Sequence, residues 1–261
     1  MAKVLVAVAW PYVNGDIHIG HLAGYLLPAD IYARFNRFLG NAVLMVSGSD
    51  CYGTPITLEA DKRGVRPEDI VEEYHEKNKR LFLETLNLSF DIYTKTTTKN
   101  HQQVVQDFFV RLIEKGLIFK DTARQYYSES ERRFLPDRYV EGTCPKCGYE
   151  GARSDQCDKC GALLDPGELL NPRSKPNGAA VILKLTEHYF LDWPKLEPFL
   201  RKFVAGQKGW REWVLHETEG WLRGGLKPRA ITRDIDWGIP IPTDRLPENL
   251  RFEGAEHKRI F

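Results

Sequence analysis

Four cysteines in the middle of the chain constrain its fold more than any other feature. They form two C-x-x-C pairs, Cys144–Cys147 and Cys157–Cys160, and a glycine follows each pair. Two such turns let four thiolates close a tetrahedron around zinc while backbone N–H groups point at the sulfurs. Four free or disulfide-bonded cysteines and an iron–sulfur cluster are the alternatives. Because sulfur would fill all four positions, the spacing predicts one structural zinc ion rather than a catalytic one.

The remaining composition is that of a globular protein. The chain has 261 residues, of which 42% are hydrophobic and 28% charged, enough for one large domain or two modest ones. A fifth cysteine, Cys51, is expected to be an ordinary buried thiol. The net charge of +1 neither supports nor excludes a nucleic-acid partner. No apolar run approaches the ~18 residues of a membrane span, and the start lacks the pattern of a signal peptide, so we expect a cytoplasmic protein without a membrane partner.

Strands and helices alternate over residues 1–116, which predicts an α/β fold with a mostly parallel sheet and helices on its faces. The expected strands cover 4–9, 42–46 and 90–93. The expected helices cover about 17–39, a segment from Pro67, and a segment around 104–113 that stops at Gly116. A polar loop is expected up to Pro55. Beyond Gly116, residues 117–170 look short and turn-rich, 187–224 look helical, 229–242 look like a strand entering a loop, and 259–261 look like part of another strand.

The second informative motif is His18-Ile19-Gly20-His21, at the start of the first helix and directly after the first strand. Two histidines at this spacing alone are usually exposed or capping residues. Their position raises their significance, because ligands bind at the carboxyl ends of parallel strands and helix N-termini attract phosphate. Gly20 would let a ring or phosphate approach the backbone. The two common phosphate-binding glycine motifs, G-x-x-x-x-G-K-[ST] and G-x-G-x-x-G after a strand, are absent.

The stretch from Ala9 to His21, AWPYVNGDIHIGH, resembles the signature of class I aminoacyl-tRNA synthetases, and within them the methionyl group. Further segments resemble the family in the same order. They are SDCYGTP at 49–55, FLPDRYVEGTCP at 134–145, AITRD at 230–234 and WGIP at 237–240. Several separated matches in order are more specific than any single motif.

The resemblance implies a methionine–tRNA ligase, which joins methionine to ATP as methionyl-adenylate and then transfers the methionyl group to tRNA(Met). It implies that His18, His21, Gly20 and Asn14 contact ATP, which enters as its Mg²⁺ complex. Asp50 would hold the methionine ammonium together with the backbone carbonyl of Trp10, and Ala9 and Tyr12 would line the methionine pocket. Arg233 would be a catalytic cation near Asp50 and the methionine carboxylate. Without the resemblance, Asp50 would be interpreted as an aspartate in a turn or at a helix cap. Arg233 would be interpreted as a partner in a surface salt bridge.

The resemblance also implies an organisation. Residues 1–116 would be the first half of a Rossmann-like nucleotide-binding domain, and 117–228 a connective insertion with the zinc knuckle at about 137–167. Residues 229–261 would be a truncated return to the catalytic core. The family's lysine-bearing K-M-S-K-S loop, the tryptophan-bearing strand of its methionine pocket and its anticodon-binding domain are not found in the sequence. We therefore expect an N-terminal part whose sheet is incomplete with an unpaired edge, and which is poorly active or inactive alone. It would be either a shortened chain or one piece of a split enzyme completed by a second polypeptide.

The sequence departs from the family pattern in places, and other functions stay open. Trp10 stands where leucine is frequent and would make the pocket wall bulkier, and Tyr52 stands where histidine is frequent. Residues 171–178 lack the cysteines of a second knuckle, which again predicts one zinc. Another class I synthetase is an alternative, although the isoleucyl, valyl and leucyl enzymes carry larger insertions and the cysteinyl enzyme uses zinc differently. A non-catalytic zinc module that binds RNA or protein, and a histidine-motif nucleotidyltransferase, are the others.

Overall fold

The computed structural model describes residues 1–260, which form two compact units. The first runs from Met1 to Val104, and the second begins at Val105. Each unit has its own hydrophobic core. Within the described residues, no helix is both long and apolar enough to cross a membrane.

The first unit contains the predicted parallel sheet. Its strands β1 (Lys3–Ala7), β2 (Ala42–Ser49) and β3 (Ile92–Lys95) lie side by side in chain order and are all parallel. The first crossover is α1 (Ile19–His21), a π-helical stretch (Leu22–Leu26) and α2 (Leu27–Phe38). The second crossover is α3 (Thr54–Arg63), α4 (Pro67–Lys79) and a π-helical stretch (Arg80–Thr85). The α/β prediction for this part of the chain is confirmed.

Only one face of this sheet is well covered. The core side packs Val6 and Met45 against Leu26, Ala33 and Phe82. On β1 and β2, Leu5 and Leu44 are register partners, yet they are 65% and 45% exposed. Parallel sheets normally bury both faces. Among the described residues β1 pairs with β2 alone, so the expected unpaired edge is present.

Helix α3 corrects the sequence analysis, which did not anticipate a helix between the polar loop and Pro67. Pro55 lies in its first turn, where a missing N–H costs nothing, and Gly64 ends it with a left-handed backbone (φ +65°). Its inward face is narrow, with only Ile56 and Ala60 buried. That stripe is too short to show as a clear helical period in the sequence.

The second unit is built on a long antiparallel pair of strands that lie far apart in the sequence. Strands β4 (Ile118–Ser128) and β9 (Ile182–Leu191) pair along most of their length, flanked by β5 (Arg133–Phe134) and β10 (Arg229–Ala230). The interpretation of 117–170 as short turns is therefore wrong for β4. The helical interpretation of 187–224 is wrong at its start, because 187–191 end β9. The true helices are α6 (Trp193–Ala205) and α7 (Glu212–Arg223).

Helix α5 (Lys99–Glu114) precedes β4 and ends before Gly116, whose backbone is left-handed. Two small antiparallel sheets complete the second unit. One contains β6 (Val140–Thr143), β7 (Ala152–Arg153) and β8 (Leu170–Ser174), and it carries the cysteine turns. The other contains β11 (Thr232–Arg233), β12 (Ile239–Pro240) and β13 (Arg259–Ile260), which confirms a strand near the end of the chain. Phe261, the last residue of the expected strand and return segment, lies outside the described residues.

Candidate functional site

The loop after β1 lies against the residue that follows β2. The Asp50 N–H donates to the Pro11 carbonyl at 2.9 Å, and the Val13 N–H donates to the Asp50 carbonyl at 3.2 Å. This backbone pairing places Tyr12 beside Asp50. Neighbouring parallel strands end at the same edge of a sheet, so the two candidate residues meet where such folds bind ligands.

The Asp50 carboxylate is half-buried and accepts two hydrogen bonds, one from the Tyr52 N–H and one from the Tyr12 hydroxyl. Burial raises the pKa of this carboxyl, and the two bonds oppose that effect only in part. A negative charge that has lost part of its water attracts a cation more strongly than an exposed one does. This arrangement suits a positively charged ligand group.

Beneath Asp50 lies a buried polar cluster that the sequence analysis did not identify. The Ser49 hydroxyl lies 2.8 Å from Nδ1 of His75 and 3.1 Å from the Tyr93 hydroxyl. Burial raises the pKa of Tyr93 to about 12 and lowers the pKa of His75. The Ser49 hydroxyl therefore bridges a neutral imidazole and a neutral phenol through hydrogen bonds. The available signal was that His75 shares a face of α4 with the buried residues Val71 and Asn78.

Cys51 anchors the other side of Asp50. Its N–H donates to the Thr96 hydroxyl at 2.9 Å, and the Thr96 N–H donates to the Ser49 carbonyl at 3.2 Å. The Cys51 thiol is fully buried, which confirms the expectation of an ordinary core cysteine. Asp50, which is partly exposed, thus stands between two buried residues that hydrogen bonds hold in place, Ser49 and Cys51.

The two histidines of the first helix are in contact. Nδ1 of His18 accepts from the Gly20 N–H at 3.1 Å, and Nδ1 of His21 accepts from the His18 N–H at 3.3 Å. Their ring centroids are 3.9 Å apart. A neutral imidazole that accepts at Nδ1 carries its proton on Nε2, so both rings keep an N–H donor for a ligand. Partial burial, and secondly the charge of His18, lower the pKa of His21 and favour this neutral form.

Gly20 has a local reason to be glycine. A Cβ at this position would lie 2.9 Å from Cε1 of His18, so any side chain would displace the imidazole. The sequence predicts that Gly20 lets a ligand approach the backbone. The structure adds that the histidine arrangement itself depends on the missing side chain.

The other candidates of the first unit lie along the same loop. Ala9 and Asn14 are exposed. The Trp10 ring covers Gly48, where a Cβ would lie 2.6 Å from Cζ3 of the indole and equally close to the Thr94 carbonyl. The absence of a side chain at Gly48 therefore makes room for tryptophan where the family often has leucine.

Arg233 lies in the second unit, on β11. Its Nη1 donates to the carbonyls of Ala230 and Thr232 at 2.8 and 2.9 Å. Burial lowers its pKa, and the negative charge of Asp137 opposes that shift. The guanidinium is thus held locally, and its role near the methionine carboxylate stays a prediction.

The residue after Arg233 is fixed by buried groups that the sequence analysis missed. The Asp234 carboxylate accepts from the Thr186 hydroxyl at 3.0 Å, lies 3.1 Å from Nε2 of His188, and pairs with Lys258. His188 and Lys258 are both buried. Two residues of β9, almost 50 positions before Asp234, and Lys258, 24 positions after it and next to β13, thus hold the carboxylate beside Arg233.

The four cysteines converge as predicted. Their Sγ atoms all lie within 4.8 Å of one another. The Sγ atoms of Cys144 and Cys160 are 3.9 Å apart, and those of Cys147 and Cys157 are 3.6 Å apart. A tetrahedron with metal–sulfur bonds of about 2.3 Å has edges of about 3.8 Å, whereas a disulfide requires about 2.05 Å. The geometry fits a four-coordinate metal and excludes disulfides among these cysteines.

The two halves of this cluster are built alike. Gly148 N–H donates to the Cys144 carbonyl at 3.0 Å, and Gly161 N–H donates to the Cys157 carbonyl at 2.8 Å. Both glycines have φ of +71°, a conformation that costs most other residues energy. The glycine after each pair therefore closes the turn that directs both thiols of the pair to one point.

Comparison with known proteins identifies the family. The family model described as tRNA synthetases class I (M) matches residues 4–250. The methionine–tRNA ligase of Roseiflexus sp. (strain RS-1) is 54% identical over 244 residues, which are 93% of this chain and 41% of that protein. The enzyme of the same name from Thermomicrobium roseum is 50% identical over 98% of this chain and 42% of its own length. The chain thus spans about two fifths of the length of these relatives.

Solved structures share the fold. Methionyl-tRNA synthetase of Mycobacterium tuberculosis, in complex with methionyl-adenylate, superposes with a TM-score of 0.69 at 23% identity. That match covers 93% of this chain and 43% of the other. A leucyl-tRNA synthetase from Agrobacterium radiobacter gives a TM-score of 0.59 over 84% of this chain and 24% of its own, also at 23% identity. With the family model matching nearly the whole sequence, the chain belongs to the class I (M) family of tRNA synthetases.

Proposed function

We propose that this chain carries the amino-acid and ATP-phosphate contacts of a methionine–tRNA ligase. The observation that carries the proposal is the half-buried Asp50 carboxylate beside Tyr12, at the carboxyl end of the parallel sheet. The relatives are named methionine–tRNA ligases, and one solved neighbour is named as a complex with methionyl-adenylate. The chain spans only part of those proteins, so the complete reaction belongs to the proposal.

In this proposal the methionine ammonium binds Asp50 and the Trp10 carbonyl, and Ala9 and Tyr12 line the side-chain pocket. The methionine carboxylate attacks the α-phosphorus of ATP, which enters with Mg²⁺, and the bond to pyrophosphate breaks. A hydroxyl at the 3′ end of tRNA(Met) then attacks the adenylate carbonyl, and AMP leaves.

His18 and His21 are proposed to stabilise the charge that develops on the phosphates. Their Nε2–H groups are free to donate, because backbone N–H groups occupy both Nδ1 atoms. Donors held in place before the reaction need no reorganisation when negative charge builds up. Gly20 and Asn14 lie in the same segment and are proposed to complete the ATP contacts. Arg233 is retained as the catalytic cation for the methionine carboxylate on the family resemblance alone.

We further propose that the four cysteines hold one structural zinc. Four thiolates at tetrahedral spacing leave no open coordination position, so the metal would order the small sheet of β6, β7 and β8 rather than act on substrate. The functional division into 1–116, 117–228 and 229–261, a cytoplasmic location and a requirement for the remaining catalytic half, on this or a second polypeptide, are part of the same proposal.

Isothermal titration with a non-hydrolysable methionyl-adenylate analogue tests the proposal. We expect binding to the wild-type chain and a large loss in Asp50→Asn. The matched control is Asp16→Asn, because Asp16 is an exposed carboxylate of the same loop whose ion pair is with Lys77. Absence of binding by a folded wild-type chain would instead favour a non-catalytic zinc module.

A further inference from the structure

Three aromatic rings form a contiguous exposed cluster on α6 and the loop after it. The Phe199 and Phe203 rings have centroids 6.3 Å apart and nearly parallel planes, and Trp210 meets Phe203 edge-on at 5.9 Å. They are 66%, 47% and 38% exposed, while the buried residues of this helix pair are Val204 and Leu222. We call the three rings the aromatic platform. Because they contribute so little to the core, folding alone does not account for them.

The chain segment that carries the aromatic platform is rich in cations, most of which lack an ion-pair partner among the described residues. Residues 198–211 contain four Lys or Arg side chains and no Asp or Glu. Arg201 is tied to Glu197, but Lys202, Lys208 and Arg211 are exposed and form no ion pair within the described part of the chain. Residues 192–229 have eight basic and five acidic side chains, a surplus of three positive charges in a chain whose net charge is +1. The near-neutral total therefore conceals a local basic surface.

We propose that the aromatic platform binds unpaired nucleotides of an RNA. Base faces stack on exposed aromatic rings, and adjacent phosphates pair with lysine and arginine, which is the combination found in single-strand binding surfaces. A duplex stacks its bases on one another and offers only phosphates, so it should bind less well.

The charge distribution disfavours a second copy of the chain as the occupant. A two-fold dimer through the aromatic platform would bring Lys202, Lys208 and Arg211 close to their own copies, and like charges would repel. Identification of the RNA as the unpaired 3′ end of a tRNA rests on the proposed ligase function. The proposed affinity for unpaired nucleotides is independent of the proposed ligase function.

Fluorescence anisotropy with a labelled eight-nucleotide single-stranded RNA, titrated with the full chain at several salt concentrations, tests the proposal. Three phosphate contacts predict that log K falls with log salt with a slope of about −2, and Lys202→Gln, Lys208→Gln and Arg211→Gln should each reduce that slope by about 0.7. Phe199→Leu and Phe203→Leu keep an apolar side chain but remove the stacking surface. Each should weaken binding roughly 5- to 150-fold.

Matched controls lie on the same helix pair. Trp221 is 55% exposed and bonded to Glu217, outside the aromatic platform, so Trp221→Leu should bind normally. Arg223 is paired with Glu219, so Arg223→Gln should leave the slope nearly unchanged. Circular dichroism and the melting temperature establish that each variant is folded.

Three results would overturn the proposal. These are equal affinity for the same sequence in a duplex, unchanged binding by folded Phe199→Leu and Phe203→Leu, and a dimer in light scattering that dissociates in those variants. Asp50→Asn should bind the RNA normally. Failure of the adenylate site and failure of the aromatic platform are therefore separate outcomes.

Discussion

Nδ1 of His75 lies 2.8 Å from the hydroxyl oxygen of Ser49, the residue that precedes Asp50. Both residues are buried, and Tyr93 contacts the same hydroxyl from β3. This cluster joins α4 to the carboxyl ends of β2 and β3 directly beneath the proposed ammonium site. Because Ser49 precedes Asp50 in the chain, the cluster fixes the backbone next to the Asp50 carboxylate.

His75→Leu should destabilise the chain by about 1–3 kcal/mol, because the Ser49 hydroxyl loses a hydrogen-bond partner in a buried site. His75→Asn keeps an amide near the position of Nδ1, which can donate or accept a hydrogen bond, and should lose less stability. Thermal unfolding followed by circular dichroism measures both. His216 is exposed, so His216→Leu is the control and should change little. A His75→Leu variant that melts with wild type would show that the bond adds no stability.

The same histidine predicts a pH dependence. Burial, and secondly the charge of Lys95, lower the pKa of His75. The unfolded imidazole has a pKa of about 6.5, so below that pH the unfolded chain binds the extra proton more readily. The contribution of the neutral His75 side chain to the free energy of unfolding is complete above about pH 6.5. It declines as the pH falls and stops declining below the pKa of His75 in the folded chain.

Melting temperatures between pH 7.5 and 5 test this sign. We expect His75→Asn to lose less stability on acidification than wild type does. The carboxyls of Asp30 and Glu131 have lowered pKa values and act only below their ordinary range of about 4, outside this window. Parallel curves for the two proteins would contradict the assignment.

Much of the fold could be predicted from local signals. Apolar runs and a helical stripe identify β1, β2 and α2, and the two cysteine turns specify their own convergence. The pairing of β4 with β9 could not be predicted in the same way, because the paired residues lie up to 73 positions apart in the sequence. Polar residues such as Thr186 and His188 also lie on the buried side of this pair. The cluster of Ser49, His75 and Tyr93 could not be predicted for a similar reason, because each residue belongs to a different element.

Gly20→Ala should weaken binding of the adenylate analogue about 10- to 100-fold, because the new Cβ displaces His18 and removes one charge-assisted hydrogen bond. The matched control is Gly24→Ala in the same helical stretch, where a Cβ meets nothing within 4 Å. That control should bind normally, and alanine should favour the helix by up to about 1 kcal/mol. Equal affinities of Gly20→Ala and Gly24→Ala for the analogue would contradict the claim that the histidine arrangement depends on the missing side chain at Gly20.

The cysteine cluster predicts about one zinc per purified chain by metal analysis, since the four thiols form a single tetrahedral set. Cys157→Ser should lose the metal, and hydrogen exchange should then accelerate in residues 140–174. Cys51→Ser removes a buried thiol outside the cluster and should retain zinc. Zinc retained in full by Cys157→Ser would contradict the assignment.

The central claim is that Asp50 recognises an ammonium group. Because burial raises its pKa, its charge is a cost in the unliganded fold, and Asp50→Asn should remain at least as stable as wild type at neutral pH. Any loss of binding by that variant would then reflect recognition rather than unfolding.

The most direct measurement is a double cycle by isothermal titration, with wild type and Asp50→Asn each binding the methionyl-adenylate analogue and its counterpart without the amino group. We predict that Asp50→Asn weakens binding of the amine-bearing ligand by about 2–3 kcal/mol, roughly 30- to 150-fold, and leaves binding of the amine-free ligand nearly unchanged. Equal losses for both ligands, or no loss for either, would contradict the assignment of Asp50 as the ammonium site.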